Sequence, residues 1–95
     1  MQIKNPAVIE LSKNALGNNF RFMRRIFGSA VRISSVVKAN AYGHGIETFV
    51  PLAESFGIDH FSVFSAHEAE RIKKICCADT DIMIMGWIDP GDLEW

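Results

Sequence analysis

Apolar positions along the chain follow two spacings, one typical of helices and one typical of short buried strands. Steps of four, three and four predict a first helical face, formed by Leu16, Phe20, Met23 and Phe27. Ser12 is a suitable N-cap for this helix, and Gly28 is a suitable stop. Helical spacing also predicts a second face, formed by Ile46, Phe49, Val50, Ala53 and Phe56. Ser65 and Glu68 match a capping box, S-x-x-E, which predicts the start of a third helix.

Between these helices lie three short runs that are rich in β-branched or aromatic residues. They are "VRISSVVK" (31–38), "HFSVFS" (60–65) and "DIMIMG" (81–86), and "AVIEL" (7–11) is a further extended segment. Strands that alternate with helices predict an α/β fold with a parallel sheet and right-handed crossovers. Three strands leave two bare sheet edges, and a closed eight-stranded barrel needs about 250 residues. The pattern alone therefore leaves open a small autonomous domain or a piece of a larger protein.

Composition and charge exclude several classes of protein. The chain has 95 residues, 48% of them hydrophobic, and a net charge of −1, so neither disorder nor nucleic-acid binding is expected. No apolar run approaches the roughly 20 residues that span a bilayer, and no secretory signal is recognisable, so we expect a cytoplasmic protein. Cys76 and Cys77 are adjacent and lack C-x-x-C or H-x-x-x-H spacing, so we expect reduced thiols and no metal site.

Lys38 ends the first predicted strand, where parallel α/β folds gather their ligands. Alternation puts Ser34, Val36 and Lys38 on one face of that strand. A lysine among apolar neighbours loses hydration of its charged form, and a neutral amine attacks aldehydes. Pyridoxal phosphate is the commonest aldehyde cofactor of this kind. The plain alternative is that Lys38 extends into solvent.

The loop after Lys38 offers groups that suit a phosphate. Tyr42 supplies a phenol hydroxyl, and Gly43 and Gly45 allow close backbone approach. The helix that begins near Ile46 is expected to point free N–H groups at the same end of the sheet. Tyr42 is otherwise a rim aromatic. For His44 we favour a loop histidine bonded to backbone over a catalytic role.

The segment "VVKANAYGHG" (36–45) resembles the pyridoxal-phosphate signature of alanine racemases. Further segments are similar to the opening strand, first helix, and second and third barrel strands of that family: "NPAVIELSKNALGNNFRFMR" (5–24), "FSVFSAHEAERIKK" (61–74) and "DIMIMG" (81–86). The resemblance implies an eight-stranded α/β barrel followed by a C-terminal β domain. Residues 1–95 would be an N-terminal fragment of the barrel, with the β domain absent.

The resemblance also implies a site. Lys38 would hold pyridoxal 5′-phosphate covalently and move the α-proton on one face of the substrate. Tyr42 would bond the cofactor phosphate, and Val36 and Met85 would wall the cofactor ring. The implied activity is interconversion of L- and D-alanine, which supplies D-alanine for cell-wall peptidoglycan.

In this family a tyrosine from the C-terminal domain of the partner subunit acts on the opposite face of the substrate. The resemblance therefore implies a homodimer and an inactive isolated chain. Two alternatives stay open. One is another pyridoxal-phosphate barrel, such as an amino-acid decarboxylase, another racemase or a cofactor carrier. The other is a non-catalytic α/β module in which Lys38 pairs with an anion. A dinucleotide-binding domain is disfavoured because no G-x-G-x-x-G follows a strand.

Overall fold

The computed structural model of this protein describes Ile3 and residues 5–93. Its elements are α1 (Lys13–Phe27), β1 (Ser35–Val36), α2 (Lys38–Tyr42), α3 (Ile46–Glu54), β2 (His60–Val63), α4 (Ala66–Lys73), β3 (Asp81–Ile84) and a 3-10 turn (Pro90–Asp92). The three strands form one sheet in the order β1-β2-β3, and both pairings are parallel. The predicted α/β fold with a parallel sheet is confirmed, and the three-stranded sheet is open.

The helix boundaries follow the capping residues in the sequence. Ser12 Oγ accepts the Ala15 N–H at 3.2 Å, and α1 ends at Gly28, whose φ is 78°. Ser65 and Glu68 form the predicted capping box at the start of α4, because Ser65 Oγ accepts the Glu68 N–H while the Glu68 carboxylate accepts the Ser65 N–H. The two N-caps satisfy backbone donors that the first helical turn leaves unpaired, and the Gly28 N–H donates to the Arg24 carbonyl oxygen in the last turn of α1.

The first strand is much shorter than the sequence predicts. Residues 31–38 were expected to be extended, but only Ser35–Val36 pair with β2 in the ladder. Val37 adds one further bond, from its N–H to the Ser62 carbonyl oxygen at 2.9 Å. There the backbone leaves the extended region, with ψ 25° at Val37, so Lys38 begins α2 rather than ending β1. The extended segment at 7–11 joins no strand.

One face of the sheet is packed against helices. Val37, Phe61 and Val63 have no exposed surface, and they form a core with residues from α1, α3 and α4: Phe20, Ile46, Val50, Ala53 and Ile72. Phe61 and Val63 lie two residues apart on the central strand, so they point to the same side. Removal of these apolar side chains from water is the main contribution that holds the helices on the sheet.

The other face of the sheet is open. Val36 pairs in register with Ser62, and Ser62 with Met83, so these residues share that face. Val36 is 39% exposed and Met83 47% exposed. Ser62 is nevertheless buried, and its hydroxyl shares a 2.6 Å hydrogen bond with Ser34. We name the half-exposed apolar residues of this side the open face, defined as Val36, Phe64, Met83 and Met85.

Gly17 sets how closely α1 approaches the segment after α3. A Cβ at Gly17 would lie 2.4 Å from Cε1 of Phe56, whose ring also packs against Phe20 with centroids 6.4 Å apart. We expect Gly17→Ala to lower the free energy of unfolding by about 1–3 kcal/mol, because overpacking outweighs the gain in helix propensity. Urea denaturation measures the change. Asn19→Ala, an exposed α1 position, is the matched control and should not destabilise. Equal behaviour of the two variants would contradict this packing argument.

Candidate active site

The turn that carries Lys38 is left-handed. Ala39, Asn40, Ala41 and Tyr42 have φ values of 52°, 56°, 56° and 55°, although none of them is glycine. This conformation costs L-residues roughly 1–2 kcal/mol each, and only asparagine among them tolerates it well. We name residues 38–42 the left-handed turn. Such strain persists only where surrounding contacts hold the backbone in place.

Backbone hydrogen bonds close the left-handed turn. The Ala41 N–H donates to the Val37 oxygen at 2.8 Å, and the Gly43 N–H to the Ala39 oxygen at 3.0 Å. Gly43 and Gly45 have φ values of 89° and 96°, so glycine is needed at both places. His44 Nδ1 lies 2.9 Å from the Ala41 oxygen, and this contact confirms the interpretation of His44 as a histidine bonded to backbone.

Lys38 and Tyr42 occupy the two ends of the left-handed turn, at the carboxyl end of β1. Both side chains are exposed, Tyr42 by 59%. Within residues 5–93, the Lys38 ammonium and the Tyr42 hydroxyl have no hydrogen bond or ion pair. Both groups are therefore free to engage a ligand.

Val36 and Met85 lie at the carboxyl ends of the two outer strands, with β2 between them. The Met85 N–H donates to the Val63 oxygen at 2.7 Å, which extends the β3 ladder by one residue. Both side chains belong to the open face, so alternation places them on the same side of the sheet. Met83, two residues before Met85, is equally exposed there. Strand alternation was the signal for it, and the sequence reasoning did not single it out.

Two side chains outside the sequence-predicted set, Glu68 and Arg71, contact the left-handed turn, and Glu47 in turn contacts Arg71. Glu68 Oε2 accepts the Ala39 N–H at 2.8 Å. Arg71 Nη2 donates to Asn40 Oδ1 at 2.7 Å and to Glu47 Oε2 at 2.7 Å. The hydrogen bond from Arg71 lowers the pKa of Glu47, and the same bond raises the pKa of Arg71. The S-x-x-E box was the only sequence signal for Glu68, and it predicted a helix cap alone.

Asn40 also changes the expectation for helix α3. Its Oδ1 accepts the Ile46 N–H at 3.0 Å. The first amide of α3 is therefore occupied, so it is not one of the free N–H groups expected to face a phosphate. Asn40 suits this position because its short amide side chain can cap a helix while its own backbone is left-handed.

Elsewhere the described residues show no metal site or membrane span. Burial raises the pKa of the Cys76 thiol, and a hydrogen bond to Glu54 raises that of Cys77. Among residues 3 and 5–93, no three histidine, cysteine or acidic side chains lie close enough to share a metal ion. In the same part of the chain, no helix has the length and apolarity to cross a membrane. A groove of about 490 Å³ between α4 and β3 contains none of the four predicted site residues.

Comparisons with known proteins identify relatives of this chain. The family model described as "Alanine racemase, N-terminal domain" matches residues 11–95. Alanine racemase 1 of Caldanaerobacter subterraneus subsp. tengcongensis is 34% identical over 89 residues, covering 94% of this chain and 23% of the relative. The serine/alanine racemase of Enterococcus gallinarum is 37% identical over 88 residues, covering 93% of this chain and 12% of that protein.

Solved structures agree with these sequence relatives. Alanine racemase from Bacillus anthracis with bound L-Ala-P matches with a TM-score of 0.76 and 29% identity, over 84% of this chain and 20% of that one. Alanine racemase from Oenococcus oeni matches with a TM-score of 0.70 and 32% identity, over 84% of this chain and 22% of that one. The predicted fold class, the first strands of an α/β barrel, is confirmed. The chain spans under a quarter of these relatives, and it belongs to the alanine racemase N-terminal domain family.

Proposed function

We propose that this chain is the pyridoxal-phosphate-binding segment of an alanine racemase, with Lys38 as the residue that carries the cofactor. The observation that carries this proposal is the placement of Lys38. It directly follows the carboxyl end of a parallel strand, two residues after Val36 of the open face, and no described residue engages its ammonium group. Ligand sites in α/β barrels form at this end of the strands.

The chemistry of the four predicted site residues fits pyridoxal 5′-phosphate. Lys38 offers an amine for the aldehyde, Tyr42 a free hydroxyl for the phosphate, and Val36 and Met85 apolar surface for the ring. The Ile46 amide is already bonded to Asn40, so further phosphate donors must come from other residues. When bound, the cofactor supplies an electron sink that stabilises a carbanion at the substrate α-carbon.

In this proposal Lys38 accepts or returns the α-proton on one face of alanine. Racemisation also needs an acid/base group on the opposite face. The chain contains one tyrosine, Tyr42, and its hydroxyl is assigned to the phosphate. The family resemblance implies a second tyrosine for this role, so we propose that the second group comes from outside these 95 residues, in a longer homodimeric enzyme with a C-terminal β domain. We propose that this enzyme works in the cytoplasm, supplies D-alanine for cell-wall peptidoglycan, and that residues 1–95 alone do not turn over substrate.

Reductive trapping tests the proposal on the 95-residue chain itself. Linkage of Lys38 Nζ to the cofactor aldehyde releases one water, and borohydride reduces the product to a stable secondary amine. We expect mass spectrometry to find the adduct at Lys38 well above the level at Lys13 and Lys74, two exposed lysines that serve as internal controls. Equal labelling of all three lysines in folded protein would contradict the assignment of Lys38. Racemisation of alanine by the isolated chain would contradict only the proposal that residues 1–95 do not turn over substrate.

A further inference from the structure

We infer that Glu68 and Arg71 of α4 form a clamp that holds the left-handed turn and thereby positions Lys38. The role of Lys38 in this inference rests on the proposed function, whereas the clamp itself rests on the hydrogen bonds described below. The two residues are three positions apart in sequence, so they lie on the same face of α4. Neither is placed among the residues that contact the cofactor, so both are positioning residues.

Glu68 ties the ends of two strands together. Its Oε2 accepts the N–H of Ala39, the residue directly after Lys38, at 2.8 Å. Its Oε1 accepts the N–H of Phe64, the residue directly after β2, at 2.9 Å. One carboxylate therefore fixes the carboxyl end of β1 relative to that of β2. Bonds from N–H groups to an ionised carboxylate are stronger than neutral ones.

Arg71 holds the next residue of the turn. Its guanidinium contacts Glu47 through Nε and Nη2, at 2.9 Å and 2.7 Å, and this paired contact fixes its plane. In that orientation Nη2 also donates to Asn40 Oδ1 at 2.7 Å. The Asn40 oxygen therefore receives both the Arg71 donor and the Ile46 N–H. The turn is attached to α3 and α4 through one side chain.

The hand of the turn explains why such a clamp is needed. Hydrogen bonds between residues four apart, such as Ala41 to Val37, close a right-handed turn equally well. L-residues favour that right-handed form, so internal bonds do not select the observed hand. The selection must come from contacts that reach outside the turn. The Glu68 and Arg71 contacts are such bonds, and they join residues 29 and 31 positions apart.

Glu68→Gln separates the clamp from the helix cap. A glutamine has one acceptor oxygen, which is needed by the Phe64 and Ser65 amides at the cap. Its NH₂ group would then face the Ala39 N–H, and because both groups are donors, no hydrogen bond would form between them. The cap is kept while the anchor of the turn is lost. Glu70→Gln is the matched control, because Glu70 lies on the same helix and pairs with exposed Lys74.

Amide hydrogen exchange, followed by NMR on the 95-residue chain, tests the clamp without any cofactor. We expect exchange at Ala39 and Ala41 to accelerate about tenfold or more in Glu68→Gln, the effect of losing a charge-assisted bond. Exchange at Val63, in the central strand, should stay unchanged. Arg71→Lys should also accelerate Ala41, since an ammonium cannot hold Glu47 and Asn40 in the same fixed plane. Unchanged exchange at Ala39 in Glu68→Gln would overturn the clamp.

Reductive trapping then tests positioning. In Glu68→Gln we expect slower labelling of Lys38 with pyridoxal phosphate and borohydride, with unchanged labelling of Lys13. Glu70→Gln should match the unmodified chain at both lysines. Selective labelling of Lys38 that is the same in Glu68→Gln would refute the positioning role. Absence of selective labelling in the unmodified chain refutes the proposed function instead, while the exchange data still decide whether the clamp exists.

Discussion

Replacing Lys38 with arginine is expected to abolish selective trapping of pyridoxal phosphate by this chain. Arginine keeps the positive charge and a long side chain, but its guanidinium stays protonated and is not a nucleophile towards an aldehyde. The adduct at position 38 should disappear, and the only labelling left should be the background level seen at exposed lysines such as Lys13 and Lys74. Mass spectrometry of proteolytic fragments measures the adduct at each lysine. Lys74→Arg is the matched control and should leave the Lys38 adduct intact.

The same variant separates chemistry from folding. Lys38 is exposed and its ammonium has no partner among the described residues, so Lys38→Arg should change the free energy of unfolding by no more than about 0.5 kcal/mol. A chain that folds normally and loses only the adduct supports Lys38 as the cofactor residue. Persistent labelling at the original level would mean that another lysine reacts. That result would favour the non-catalytic alternative, in which Lys38 only pairs with an anion.

The sequence predicted the fold well where signals are local. Ser12, Gly28 and the Ser65–Glu68 box lie within a few residues of the backbone groups that they cap, and all three are confirmed. The parallel order of the strands followed from their alternation with helices. Period-two alternation predicted that Val36 and Val37 point to opposite sides of the sheet, and Val36 is partly exposed while Val37 is buried. Each of these inferences needed only neighbours along the chain.

The left-handed turn lay beyond sequence reasoning for a physical reason. Ala39, Ala41 and Tyr42 have no preference for positive φ, so residues 38–42 suggest a plain loop after a strand. The contacts that select the hand come from Glu68 and Arg71 on another element. The turn also explains why β1 ends earlier than predicted, because the backbone leaves the extended region at Val37.

Phe61→Ala is expected to have the largest effect on stability. Phe61 is fully buried in β2, the central strand, where its ring packs between the sheet and the helices. Loss of a buried phenylalanine costs about 3–5 kcal/mol, through lost burial and the cavity that remains. A small domain has only about 5–15 kcal/mol in total, and the open face of this sheet contributes little burial. We expect Phe61→Ala to be largely unfolded at 25 °C, as measured by circular dichroism and urea titration.

Phe64→Ala is the matched control for this prediction. Phe64 follows directly after β2 and carries the same side chain, but it belongs to the open face and is 61% exposed. Its truncation removes little buried surface, so we expect a loss of about 1 kcal/mol or less. A large difference between the two variants would show that the helix-covered side of the sheet holds the chain together. Equal losses would mean that the open face is covered in solution, and the assignment of the core to one side of the sheet would be wrong.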